Sequence, residues 1–180
     1  QEFDIVSALS EMTKYAEMIT DPADIRYCLE KAYHTAISGR PGPCWLDIPL
    51  DVQGAFVETD DLRGYKASDA EKNISILKDA VRIVADKISH ANRPVIYAGN
   101  GIRIAGAEKL LHQVAEKYRI PVVTCWDSID LIDSDDPLTA GRGGTMGDRA
   151  GNFAVQNSDL LIAVGSRLNI YQVGYNKDTW

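Results

Sequence analysis

The chain has 180 residues, a formal net charge of −7 and 45% hydrophobic residues. That length suits one domain plus part of a second, with enough apolar residues for a packed core. The acidic balance without grouped Lys and Arg argues against a nucleic-acid surface, and no apolar run approaches the roughly 20 residues of a membrane span.

Ile5, Val6, Leu9 and Met12 are spaced like one face of a short helix, and Thr13 to Ile19 alternates loosely enough for a strand. Asp21-Pro22 opens the next helix, as N-cap and first helical residue. Ile25, Cys28, Leu29, Ala32, Tyr33 and Ala36 give that helix an apolar stripe, and Gly39 stops it. Cys44 to Ile48 reads as a strand. Residues 51–72 mix charges with few large apolar residues, which predicts a linker crossing a surface.

A helix is predicted over roughly 73–89, burying Leu77, Ala80, Val81, Val84, Ala85 and Ile88. Strands and helices then alternate. Pro94–Ala98 is a short apolar strand, and Gly99-Asn100-Gly101 turns the chain. Ala107, Leu110, Leu111, Val114, Ala115 and Tyr118 mark a helix, and Pro121–Cys125 the next strand. A long loop from Trp126 to about Thr145 precedes a helix near 148–157 and a strand over Asp159–Val164. Short, continuously apolar strands of this kind suit a parallel sheet covered on both faces. The expected fold is therefore α/β: a Rossmann-like doubly wound sheet over residues 73–180, preceded by the tail of a second α/β domain over residues 1–50.

Three segments could carry chemistry. Gly99-x-Gly101 lies between a strand and a helix, where glycines let a backbone approach a phosphate. Ile104 stands where a full dinucleotide fingerprint needs a third glycine, so a tight turn without a ligand fits as well. Gly141-Arg142-Gly143-Gly144-Thr145-Met146-Gly147 reads as a flexible loop rich in free N–H groups, with Arg142 able to pair with a diphosphate. Alternatively, it is a mobile surface loop. Gly165-Ser166-Arg167 ends a strand, and Arg167 suits either an anionic ligand or a structural ion pair. In a doubly wound sheet these segments and Thr124 meet beyond the strand carboxyl ends.

Cys28, Cys44 and Cys125 are odd in number and lack C-x-x-C spacing. They read as buried, reduced thiols in a cytoplasmic protein. His34, His90 and His112 have no metal-ligand spacing. The start, Gln1-Glu2-Phe3-Asp4, lacks signal-peptide features and an initiator Met, so a longer parent protein is expected.

Several stretches, in order, resemble thiamine-diphosphate-dependent enzymes of the acetolactate synthase type. Gly39-Arg40-Pro41-Gly42-Pro43, Asp47-Ile48-Pro49 and Asp51-Val52-Gln53 resemble the close of the family's pyrimidine-binding domain. Arg93 to Gly101, Ile120 to Thr124, Asp136-Pro137-Leu138, the glycine loop and Asp159 to Leu168 resemble its central domain. The resemblance implies a parent that joins a pyruvate-derived carbanion to a second 2-keto acid, using thiamine diphosphate and Mg²⁺.

It further implies a central domain carrying FAD, or in some relatives ADP or nothing. The contacting positions would be Gly99, Gly101, Thr124, Gly141, Arg142, Gly144 and Arg167. After Arg167 the chain has Asn169-Ile170-Tyr171, a departure from the acidic pair and second arginine of many FAD-binding members. The thiamine-activating Glu and the G-D-G…N motif are expected outside these residues, because Gly147-Asp148 is followed by Arg149. The chain alone is therefore expected to be inactive, with the parent's other domains and further copies of itself as partners. The rival readings are a thiamine-dependent 2-keto acid decarboxylase, a stand-alone nucleotide-binding module and an assembly-forming scaffold without a ligand.

Overall fold

A computed structural model describes residues 3–67 and 74–176. The chain forms two compact units that divide between residues 72 and 73.

The first unit begins with α1 (Ile5–Leu9), capped by the Asp4 carboxylate, which accepts from the Ser7 amide. It continues with β1 (Ala16–Met18), a 3-10 turn (Pro22–Asp24), α2 (Ile25–Ile37), β2 (Trp45–Asp47) and α3 (Leu50–Gln53). Asp21 caps the 3-10 turn through the Ala23 amide, with Pro22 directly after it. β1 and β2 pair in parallel, Ala16 opposite Trp45 and Met18 opposite Asp47. Ile19, Cys28 and Val52 form the core, with Ile25, Tyr27, Leu46 and Ile48 packed against it.

A two-stranded sheet leaves much apolar surface uncovered. Of the expected stripe on α2, Cys28 is buried and Ile25 meets the core, whereas Leu29 and Tyr33 are exposed, as is Ile37. Within the stretch read as a linker, Val52 is buried, Arg63 pairs with Asp24 at 2.9 Å, and the Tyr65 amide donates to Glu30. Residues 52–65 are thus attached to the first unit. Residues 68–73 lie outside the described residues.

The second unit contains α4 (Ile74–His90), β3 (Pro94–Ala98), α5 (Gly101–Ile104), α6 (Glu108–Tyr118), β4 (Val122–Thr124), β5 (Thr139–Arg142), α7 (Arg149–Asn157), β6 (Leu160–Val164) and α8 (Ile170–Val173). The sheet order is β5-β4-β3-β6, with every pairing parallel. In order of appearance this is third, second, first, fourth, which matches the first four strands of the doubly wound order 3-2-1-4-5-6.

Alternation along β3 splits the core. Ile96 and Ala98 face a cluster with Ile102, Leu111, Ala115 and Val122, against which Ile88 packs. Val95 and Tyr97 face Val123, Cys125 and, from α7, Ala154 and Val155. The sheet is therefore covered on both faces.

Two expectations need correction. The segment between Trp126 and Thr145 is not one loop, because it contains β5. Thr139-Ala140-Gly141-Arg142 has no large apolar residue to signal a strand. It forms through backbone pairing with β4, with a register irregularity between Val122 and Val123. The second correction concerns α4. Leu77, Val81 and Val84 are exposed, and of the expected face only Ile88 joins a core cluster.

One carboxylate ties the starts of β3 and β6. Asp159 accepts from the amides of Asn92 and Arg93, both at 2.8 Å, and Arg93 Nε donates to the Asn157 carbonyl. Lost hydration acts to raise the Asp159 pKa, but the backbone amides and the Arg93 charge together outweigh it and hold the carboxyl below its usual value. This support is complete above the unfolded carboxylate pKa of about 3.9 and is lost as pH falls through the lower folded value. Thermal melts between pH 7 and pH 3 should therefore show Asp159→Asn below wild type near neutrality, with the gap closing in acid. A gap independent of pH would contradict this.

Candidate functional site

Parallel strands place their carboxyl ends along one edge of the second unit. All seven residues expected to contact a cofactor lie there. Gly99 and Gly101 follow β3, Thr124 ends β4, Gly141 and Arg142 end β5, Gly144 follows β5, and Arg167 follows β6.

The close approach at this edge is between protein backbones. A Cβ on Gly99 would lie 2.5 Å from the Gly165 carbonyl oxygen, and one on Gly101 would lie 2.7 Å from Gly165 Cα. The Gly99 amide donates to Val164 O and the Gly101 amide to Gly165 O, both at 2.9 Å. Gly165 has φ +64°, and its own Cβ would meet the Ile102 nitrogen at 2.5 Å. These glycines let the turns after β3 and β6 interlock, and the N–H groups of Gly99 and Gly101 are already used.

The glycine loop is likewise tied down, contrary to the flexible, donor-rich loop expected. The Gly143 amide donates to Thr124 O, Gly144 to the Asn152 side chain, Thr145 to Tyr171 O and Gly147 to Gly144 O. A Cβ on Gly143 would strike the Tyr97 ring, and one on Gly144 would strike Tyr171 O. Asp148 fastens the base of the loop. Its carboxylate accepts from the Arg142 amide at 2.9 Å and from the Gly151 amide at 2.8 Å, capping α7. Burial acts to raise the Asp148 pKa, but these amides and the Arg142 guanidinium outweigh it and hold the carboxyl below its usual value. Asp148 was not singled out from the sequence as a cap; an Asp directly ahead of a helix is the signal that could have marked it as an N-cap, whereas its grip on Arg142 has no sequence signature.

What this edge offers a ligand is side chains. Arg142, half-exposed and 3.6 Å from Asp148, lines a groove of about 410 Å³ with Thr124, Ile129, Thr139 and Asp148. Arg167 is exposed and makes no ion pair among the described residues. Arg142 and the Thr124 hydroxyl in this groove are of a kind that suits a phosphate-bearing group; Arg167 does not line it. Among the described residues no cluster of His, Cys, Asp or Glu suits a metal ion, and no helix is long and apolar enough to cross a membrane. Burial pushes the Cys28 and Cys125 thiols up, as suits structural cysteines.

The model of the thiamine pyrophosphate enzyme central domain matches residues 81–180, which hold the whole four-stranded sheet. The chain belongs to the thiamine pyrophosphate enzymes. It is 38% identical over 174 residues to the acetolactate synthase large subunit of Corynebacterium glutamicum, covering 94% of this chain and 27% of that protein. The probable acetolactate synthase large subunit of Methanocaldococcus jannaschii is 35% identical over 177 residues, covering 94% and 29%. The mitochondrial acetolactate synthase catalytic subunit of Saccharomyces cerevisiae is 32% identical over 177 residues, covering 94% and 26%. The chain thus spans less than a third of the length of these relatives.

The interlocked glycines make a direct mutational test of this central domain. Gly101→Ala should lower unfolding stability by about 1–3 kcal/mol, the usual cost of overpacking, because Gly165 Cα has no flexible side chain that can yield. Urea titration measures it. Unchanged stability would show that the two turns can separate freely.

Proposed function

We propose that residues 73–180 serve as the central domain of a thiamine-diphosphate-dependent carboligase of the acetolactate synthase kind. The observation that carries this reading is the 35–38% identity to two acetolactate synthase large subunits across 94% of the chain. In such an enzyme thiamine diphosphate supplies the electron sink for a 2-keto-acid-derived carbanion, with Mg²⁺ on its diphosphate. The residues of this chain contribute a rigid platform rather than the reacting groups. We place a nucleotide, FAD or ADP, at the strand-end edge, with Arg167 and Arg142 toward its phosphates, Thr124 in the groove, and Gly99, Gly101, Gly141 and Gly144 shaping the wall.

The second reading is a domain of the same family with no nucleotide. One observation favours it: the amides of Gly99, Gly101, Gly143 and Gly144 all donate within the protein. The exposed rows Leu29, Tyr33, Ile37 and Leu77, Val81, Val84 support association with further domains or copies under either reading.

One set of samples tests these statements. With thiamine diphosphate, Mg²⁺ and pyruvate, the chain alone should form no acetolactate above a blank, and product above the blank would overturn its assignment as a platform. Calorimetric titration should show ADP or FAD binding, weakened by Arg167→Ala by about 1–3 kcal/mol, the range of a hydrogen bond to a charged group. No binding by wild type would leave the family reading standing and select the domain without a nucleotide. Sedimentation across a concentration series should show self-association, and a monomer throughout would oppose that part.

A further inference from the structure

The turn between β6 and α8 holds an unusual backbone. Gly165 has φ +64°, and Leu168, which is not a glycine, has φ +48°. A leucine in the left-handed region persists only where its surroundings fix it. Here its side chain packs into the cluster of Val95, Tyr97, Val123 and Cys125.

Its amide donates to Ser166 Oγ at 3.1 Å. The same oxygen receives the Cys125 thiol at 3.4 Å and donates to Gln172 Oε1 at 3.2 Å. Gln172 Oε1 also accepts from the Asn169 amide at 3.2 Å. Gln172 and Cys125 are buried, with 7% and 1% of their surface exposed. A buried carboxamide is costly unless satisfied, and here its oxygen serves the turn.

Arg167 sits between the two residues this network holds, Ser166 and Leu168. The Ser166 side chain and the Leu168 amide are both held, while the Arg167 side chain is exposed. We propose that Ser166 and Gln172 are positioning residues that aim the Arg167 guanidinium at the phosphates of a bound nucleotide. The aim itself rests on the nucleotide reading above. The chain of contacts from buried Cys125 through half-buried Ser166 to buried Gln172 ties the turn to the end of β4, so the direction in which Arg167 leaves the backbone is set before any ligand arrives.

The test is a double-mutant cycle on the 180-residue chain, with ADP as the calorimetric probe. Gln172→Leu and Ser166→Ala should each weaken ADP about tenfold, and Ser166→Thr, which keeps a hydroxyl, should stay near wild type. In an Arg167→Ala background neither substitution should weaken ADP further, because the effect passes through the arginine. An equal loss in that background would mark the network as general packing and overturn the proposal, as would unchanged affinity in the single variants. Backbone ¹⁵N relaxation of Arg167 and Leu168 adds a readout that needs no ligand. Order parameters of about 0.85 in wild type should fall below about 0.6 in Gln172→Leu, and unchanged values would overturn the proposal. If wild type binds no ADP while relaxation responds as expected, the nucleotide reading fails and the locking of the turn stands. If ADP binds and relaxation does not respond, the positioning role fails alone.

Discussion

The contact on which the second unit depends is the approach of two backbones, Gly99 to Gly101 on one side and Gly165 on the other. β3 and β6 pair over five residues, from Pro94 opposite Leu160 to Ala98 opposite Val164. Two further bonds, Gly99 N–H to Val164 O and Gly101 N–H to Gly165 O, carry the pairing past the end of both strands. No side chain fits between them. This point is also where the strand order reverses direction, since β4 and β5 lie on one side of β3 and β6 on the other. In doubly wound sheets a ligand enters the crevice at such a point. Here part of that crevice is filled by backbone.

The remaining strand ends are fastened to the same place. Cys125, following β4, reaches Ser166, and Thr145, following β5, donates its amide and hydroxyl to Tyr171 O. The turn after β6 together with α8 therefore contacts the segments that follow all three other strands. The buried Cys125 thiol and Gln172 carboxamide and the half-buried Ser166 hydroxyl make these ties directional, which favours one arrangement of the edge over many. Arg142 and Arg167 remain exposed at the rim.

Much of the sheet was legible in the sequence because buried parallel strands are apolar throughout. Pro94–Ala98 and Leu160–Val164 matched their expected strands closely for this reason. β5 was illegible because an edge strand containing a glycine is held by ladder bonds rather than apolar burial. Gly99 and Gly101 read as a place where a backbone could approach a phosphate, and the glycine loop as flexible, but composition does not say what approaches. For Gly99 and Gly101 it is Gly165, and for Gly143 it is the Tyr97 ring. Helical periodicity likewise marks an apolar face without naming its cover. Thus Ile88 is packed while Leu77, Val81 and Val84 are open. The Ser166–Gln172 network depends on a left-handed Leu168, for which no residue pattern gives notice.

Amide hydrogen exchange at Gly99 and Gly101 tests the central claim most directly. If both N–H groups serve the sheet, they should exchange as slowly as the core amides of β3, with or without ADP. Fast exchange in the free protein, slowed when ADP is added, would show that these amides are donors kept for a phosphate and that the interlocked edge described here is wrong.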